Sequence, residues 1–389
     1  MVKLITTFTE EADLPDRALE EIKTQIDEKG GLLSNCVGII YCHYDFAYGG
    51  IVKAISETMP FPVVGTTVSF EADSKFQSKI GMVFSILTSD DCDFLIENTP
   101  NNLCASTIVD ESKALVRRFC DASKEKGFKT AKMGLLFSPF FKTTTVEIML
   151  DEFTAALPQV PLFGTQAISD NADFSESYVI NGSEYTESTA VIVFICGDFE
   201  PEFEMVSISH NLMLSTESHI TKSHGNEIYE IDGKPAWDFI KEVGIARDET
   251  FENLIAQPLI LSAPDGTVNM RNFIDFDIEK SILRMHGNIK TGSKVDFVLV
   301  TNEIVESSCR DIMKKLTPKL KGKSALIMSC ASRLWALGNN QFNEINSIRE
   351  TNPDLNFAFC YSGGELFPQL LGGKYINTLQ NNDFIVCYF

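Results

Sequence analysis

Cys330-Ala331-Ser332-Arg333 and Tyr361-Ser362-Gly363-Gly364-Glu365 put a thiol, a guanidinium, a phenol and a carboxylate at the ends of two strand-like runs. If those strands pair, Arg333, Tyr361 and Glu365 converge on one rim. There Arg333 would grip a carboxylate with two parallel hydrogen bonds, and Glu365 would accept from an ammonium, so both ends of a small zwitterion are held. The same residues also allow an Arg333–Glu365 ion pair that merely ties two loops together, and the sequence leaves both readings open. Cys330 is poorly set up as a nucleophile, because no histidine stands near it in sequence to act as its base. A binding protein is expected, not an enzyme.

Other chemistry is thinly supplied. Of five histidines, His219 and His224 are spaced so that neither a helix nor a strand puts both on one face. His210 and His286 are isolated, and His43 follows Cys42 at a strand end, where a loop-borne ligand could sit. No cofactor is expected on this count, although a haem iron needs only one axial side chain that a lone histidine could supply. The GxSxG, HExxH, GxGxxG and EF-hand patterns do not occur. Gly322-Lys323-Ser324 resembles the tail of a phosphate loop, but Thr317 stands where its first glycine belongs, and the segment precedes a strand.

Charge narrows the partners. The 389 residues hold 33 Lys+Arg against 54 Asp+Glu, a formal charge of −21, which repels phosphate backbones and argues against nucleic acid. The densest basic stretch, Lys314-Lys315 to Lys323, reads as a helix end and the loop after it. No apolar run approaches the ~20 residues of a membrane-spanning helix; the longest, Ala190 to Cys196, has seven. Met1 to Ile5 leads straight into Thr-rich and acidic sequence, unlike a secretory signal. Ten scattered cysteines without a CxxC pair suit a reducing compartment, so a cytoplasmic location without membrane insertion is expected.

The elements that must position these groups recur. Val37 to Tyr41 reads as a strand, followed by a helix from Gly50 to Met59 and a second strand ending in Gly65-Thr66-Thr67. Met133 to Phe137, a helix from Thr145 to Leu157, and a strand ending in Gly164-Thr165-Gln166 repeat the pattern. A third, looser copy runs through Ala325 to Ser329, a helix from Asn340 to Glu350, and Asn356 to Tyr361, ending at Gly364. Parallel strands need such helical crossovers, which gather loops at the strands' carboxyl ends. Gly65, Gly164 and Gly364 are expected there, either permitting close backbone approach to a ligand or merely a tight turn. Tyr178 to Gly182 marks a hairpin whose Asn181-Gly182 signals a type I′ turn. A first helix begins near Asp13 and Pro15, and strand-like segments Glu227 to Ile231, Leu259 to Ser262 and Ser281 to Met285 flank a helix from Pro235 to Val243. The acidic, Pro-containing stretch near residue 205 divides two expected domains, 1–205 and 206–389. The expected class is mixed α+β: two domains of repeated strand-helix-strand units, with mixed sheets flanked by helices.

In combination these motifs resemble the FIST family, with N-terminal and C-terminal FIST segments in tandem. The resemblance rests on the Gly-Thr endings and the Tyr178 to Gly182 hairpin leading to Ala190 to Val193 in the first half. In the second half it rests on Ile220-Thr221-Lys222, on Ile228 to Ala236 with its Asp-Gly-Lys-Pro-Ala block, on Ser329 to Arg333, and on Tyr361 to Glu365. The chain departs from the family at its first repeat, where Gly65-Thr66-Thr67 lacks the usual Gly-Glu that follows. The resemblance implies a bacterial intracellular sensory module of signal transduction that binds a small ligand, amino acids among the candidates. Its partner would be a separate signalling protein such as a histidine kinase or chemoreceptor, since the two segments use up the 389 residues. Some relatives bind haem and sense nitric oxide, which supplies the alternative reading. Ligand contacts are expected from Arg333, Tyr361, Glu365, Gly364, Cys330, Gly164 and Thr165.

Overall fold

The computed structural model describes residues 2–128, 131–171, 173–208, 213–245, 254 and 257–389. Three similar units make up most of it. Each pairs two parallel strands across a helical crossover: Asn35–Cys42 with Val63–Thr67, Ala131–Ser138 with Leu162–Gln166, and Ser324–Cys330 with Asn356–Ser362. An antiparallel strand lies against the first member of each pair, namely Met82–Ser89, Val191–Gly197 and Phe384–Tyr388. The result is a mixed α+β architecture with helices flanking mixed sheets.

The other side of each parallel pair is completed by a strand borrowed from another unit. Phe70–Asp73, which follows the first pair in the chain, hydrogen-bonds to Asn356–Ser362 of the third unit. Val179–Asn181 of the second unit lies against Val63–Thr67 of the first, and Glu365–Leu371 of the third against Leu162–Gln166 of the second. The exchange is cyclic. Each strand that would otherwise be an edge has its backbone groups satisfied by the next unit. The outer positions follow the same rule, with Cys92–Asn98 and Glu202–Val206 each crossing to the next unit's sheet and Lys3–Thr9 filling the remaining place.

Alternation along the central strands explains their unbroken apolar character. Ile39 and Tyr41, Leu135 and Phe137, and Leu326 and Met328 all point inward to one shared core. The intervening Ile40, Leu136 and Ile327 point outward, each under the helices of its own unit. A strand buried on both faces reads as a continuous hydrophobic run. The helices present narrow stripes to this layer. Pro15–Glu28 starts with proline in its first turn and buries Ala18, Ile22 and Ile26, four residues apart.

Between Glu202–Val206 and the helix Asn302–Leu320, the third unit carries an insert of two small sheets and the helix Ala236–Glu242. The insert has its own core around Trp237, Ile240, Leu259 and Leu283. Its strands include Glu227–Ile231, Leu259–Ser262 and Ile282–Met285, at the segments expected from sequence.

Two local expectations are corrected. In the hairpin, Asn181 pairs with Glu184, so the loop is Gly182-Ser183 and not Asn181-Gly182. Gly182 has φ +64°, which suits glycine at the first central position of a type II′ turn. The third copy also aligns differently. Ile40 faces Gly65 and Leu136 faces Gly164, but the corresponding Ile327 faces Phe359. Gly364 therefore lies five residues past the position that Gly65 and Gly164 occupy.

At Gly164 a methyl group would stand 2.0 Å from the Leu136 carbonyl oxygen, inside the parallel ladder where neither backbone can yield. Gly164→Ala is expected to destabilise the fold by roughly 3 kcal/mol or more; urea unfolding followed by circular dichroism measures it, and a change below about 1 kcal/mol would contradict the packing described.

Candidate functional site

The three units meet at the carboxyl ends of their parallel strands. There a ring of equivalent backbone hydrogen bonds passes from unit to unit. Ser69 N donates to Tyr361 O at 3.1 Å, Gly363 N to Gln166 O at 3.0 Å, and Ile168 N to Thr67 O at 3.1 Å. The crossover corners thus face one centre, as the repeat implies, but the centre is closed. A Cβ on Gly363 would lie 2.6 Å from Ala167 O. The space lies beside this ring, where the insert roofs the third unit's strand ends.

That crevice has Phe140, Phe174 and Trp335 as aromatic walls, and Cys330, Ser332 and Asn272 in its floor. Its free volume is about 20 Å³, room for little more than a water molecule. Phe140 stacks on His286 with ring centres 5.1 Å apart and leans on Phe174 at 4.7 Å. Trp335, at 36% exposure, stands at the opening.

The floor is a closed polar network. Asn272 Nδ2 donates to Ser332 Oγ at 3.1 Å, and Ser332 Oγ lies 2.8 Å from Asn382 Oδ1 and 2.9 Å from Cys330 Sγ. Asn382 Nδ2 returns to Asn272 Oδ1. Asn381 Oδ1 accepts from Asn272 N at 3.0 Å. His286 Nε2 meets Gln166 Oε1 at 2.6 Å, so Nε2 carries the proton there. Burial, with Arg271 nearby, holds this imidazole down to about 3, and it stays neutral. Asp383 is pushed up to about 7 by burial, against the opposing pull of a Ser207 hydrogen bond and of Arg333 and Arg271.

The expected site residues divide into three groups. Cys330 lies in the crevice floor, its thiol pushed well up by burial and by Glu365. Arg333 and Tyr361 do not reach the rim. Arg333 is fully buried and bonds Glu344 Oε1 through Nη2 at 2.6 Å and Nε at 3.2 Å. Glu344 Oε2 accepts from Tyr361 OH at 2.8 Å and Ser329 Oγ at 2.9 Å. Arg333 Nη1 also donates to Asn382 O at 3.2 Å, which ties this ion cluster to the crevice floor from behind. Its ion-pair partner is Glu344, not Glu365, because the next α-helix, Asn343–Thr351, brings Glu344 over the strand ends.

Glu365, Gly364, Gly164 and Thr165 form the third group, buried behind the crevice wall. Glu365 accepts from Ser362 Oγ at 3.1 Å, and its other oxygen is unpartnered. Burial and neighbouring Asp383 raise its carboxyl well above the usual range. Gly364, with φ +149°, gives way to the insert: a Cβ there would stand 2.4 Å from His286 Cε1. Thr165 Oγ1 donates within the ladder, to Gln166 O at 3.0 Å.

Register also recovers a residue that the sequence pattern missed. Glu365 faces Thr165, and in the equivalent place Glu71 faces Cys360. The first repeat therefore does carry the glutamate, with Phe70 where the third has Gly364. Glu71 is fully buried with both oxygens unpartnered, and desolvation raises its carboxyl well above the usual range. Asn272, His286 and Asn382 were also missed, since nothing in their local sequence brings the insert over the strand ends. The polar run Asn381-Asn382-Asp383, wholly buried before a core strand, was the available signal.

The histidine of this crevice, His286, turns its Nε2 proton to Gln166 Oε1, so that nitrogen is not open to a haem iron. Among the described residues no group of three metal-ligating side chains is assembled, and no helix is long and apolar enough to cross a membrane. His210 lies outside the described residues.

The family model for the FIST N domain matches residues 36–234, and that for the FIST C domain matches residues 236–368. No curated protein matches the chain. Among solved structures, the crystal structure of a chorismatase aligns with a TM-score of 0.36 at 8% identity, covering 100% of this chain and 98% of that one. T. maritima PurL complexed with ATP aligns with a TM-score of 0.20 at 9% identity, covering 100% and 71%. Neither score bears on this chain's architecture or chemistry.

Removing one partner of the buried Arg333–Glu344 pair strands the other charge, so Glu344→Ala is expected to cost roughly 3–5 kcal/mol. The double variant Arg333→Met, Glu344→Leu should cost less than Glu344→Ala alone, and chemical denaturation of both proteins checks the order. Asp383 adds a pH signature. Its folded pKa lies above its unfolded value, so its contribution is full below about 4 and is lost as pH rises through about 7. Asp383→Asn should reduce the fall in stability between pH 5 and pH 8 by roughly 1–3 kcal/mol; an unchanged fall would refute this.

Proposed function

The chain belongs to the FIST family, whose domains are sensory domains of signal-transduction proteins, and on that premise we propose that it binds a small molecule in the crevice under the insert. The observation that carries this reading is the crevice itself: aromatic walls and a hydrogen-bonding floor at the carboxyl ends of a parallel strand pair. Ligands of open α/β sheets gather at such ends, and a largely apolar pocket with few polar groups is the common form of a small-molecule site.

The floor offers Ser332, the Asn272 amide and the Cys330 thiol, while neutral His286 and raised Glu365 add no charge of their own. The reading thus favours a ligand with an apolar or planar body and one hydrogen-bonding end. A zwitterionic amino acid would need Arg333, which Glu344 already neutralises. Entry requires Trp335 to swing aside, since the resting volume is that of a water molecule. Arg333 and Tyr361 act as positioning residues, fixing Asn382 and hence the floor. Cys330, Ser362 and the backbone of Gly363 and Gly364 line or support it, and Gly164 and Thr165 hold the neighbouring strand.

Binding without turnover is supported by the raised thiol of Cys330, which burial and neighbouring Glu365 hold in its unreactive protonated form. A bound molecule would touch both the strand ends and the insert, so occupancy would bias the insert's seating. A cytoplasmic signalling protein, such as a histidine kinase or chemoreceptor, would read that change.

Isothermal titration of the full chain against a panel of amino acids, aromatic acids and small metabolites tests the proposal. At least one compound should bind, and Trp335→Ala and Ser332→Ala should each weaken it about tenfold. A panel without binders, or a binder indifferent to both substitutions, would count against the crevice.

A further inference from the structure

A second hollow lies back to back with the crevice. Arg271 and Asn272 are consecutive residues in extended chain, so their side chains leave on opposite sides. Asn272 enters the crevice floor, whereas Arg271 closes the inner end of a groove of about 270 Å³. This groove runs between the first turn of the helix Glu147–Ala156, the hairpin Leu259–Arg271 and the strand Lys374–Gln380. Its volume is close to the lower end of small-molecule sites.

The charges in the groove are matched except at Asp151, which is exposed to water. Arg271 is 2% exposed and bonds Glu147 Oε1 through Nη2 at 2.6 Å, and Gly287, without a Cβ, leaves room for its guanidinium. Lys290 Nζ is paired with Asp265 Oδ2 at 2.6 Å. An anion entering here would have to break a formed pair and lie against Glu147 and Asp151, and a cation would meet Arg271 and Lys290. Neither sign is invited.

Hydrogen-bonding capacity, by contrast, is left open. The side-chain amides of Asn269 and Asn288 line the groove and have no partner among the described residues, and Arg271 Nε is buried without one. Each amide offers two donors and an acceptor with two lone pairs. The groove holds Asn288 in place, because its backbone N–H donates to Glu147 Oε2. Ile376, 41% exposed, gives the same groove an apolar side. Amides that both donate and accept, a planar guanidinium–carboxylate pair and an apolar side match a neutral molecule bearing several hydroxyls on a compact carbon ring.

We propose that this groove is a separate binding site for a small uncharged polyhydroxylated ligand of the monosaccharide or cyclitol class. Hydroxyls can use the donor and acceptor faces of Asn269 and Asn288 at once, and the ring's C–H face rests on Ile376. Glu147 belongs to the second unit and Arg271 to the insert, so the ligand would bridge the insert and the second unit, whereas the crevice lies between the insert and the third unit's strand ends.

The experiment is titration of the full chain with glucose, galactose, mannose and myo-inositol, with glutamate, inorganic phosphate and spermidine as charged comparators. One neutral compound is expected to bind at millimolar affinity or better, and the charged three not to bind at this groove. Asn269→Ala and Asn288→Ala, both at half-buried positions, should each weaken that binding at least fivefold with the thermal midpoint little changed. Trp335→Ala should leave it unaltered, which separates this site from the crevice. Failure of all four neutral compounds would overturn the proposal. So would charged comparators whose binding responds to Asn269→Ala, or a neutral binder that ignores both asparagine variants.

Discussion

A parallel strand pair cannot close on itself; its outer strand leaves a row of backbone donors and acceptors that must find partners or be exposed to water. Here that need is met by exchange. Phe70–Asp73, Val179–Asn181 and Glu365–Leu371 each leave the unit that precedes them in the chain and complete another. The three units are therefore obliged to stand around one core, and their strand ends are obliged to meet. The hydrogen-bond ring through Ser69, Ile168 and Gly363 is the local expression of that obligation. Because it closes the centre, any guest must be taken beside the axis, where the insert adds a wall.

The same exchange explains the buried acids. A borrowed strand enters with its first residues near the strand ends, and in two of the three cases an inward position is a glutamate, Glu71 or Glu365. Both sit where water is excluded and at least one oxygen lacks a partner. Desolvation then favours the neutral carboxyl. A neutral acid is compatible with the apolar core beside it, whereas the buried Arg333–Glu344 ion pair needs a full set of hydrogen bonds around it. Electrostatics around the crevice are thus settled by pairing on one side and by protonation on the other.

Much of the architecture was legible in the sequence because its signals are local. The helix stripe of Ala18, Ile22 and Ile26, the continuous apolar strands and the Gly-Thr endings declare strand-helix-strand units without reference to distant residues. The Gly364 alignment failed for a physical reason: a glycine near a strand end answers to whatever packs on it, and here that is His286 of the insert, not a repeated turn. The Asn181-Gly182 turn failed similarly, since the pairing of Asn181 with Glu184 is fixed by the strand of the first unit against which it lies.

What the residue order by itself determined is the repeated unit, the family and the polar character of the strand-end segments. Each of these follows from short-range spacing and side-chain type. Only the folded chain decided which charge meets which. The residue order pointed Arg333 toward Glu365, but its partner is Glu344, because the helix Asn343–Thr351 packs over the strand ends and presents it there. The insert's descent onto Gly364, and the two hollows on either side of Arg271 and Asn272, likewise depend on contacts between segments far apart in the chain, which no local pattern encodes.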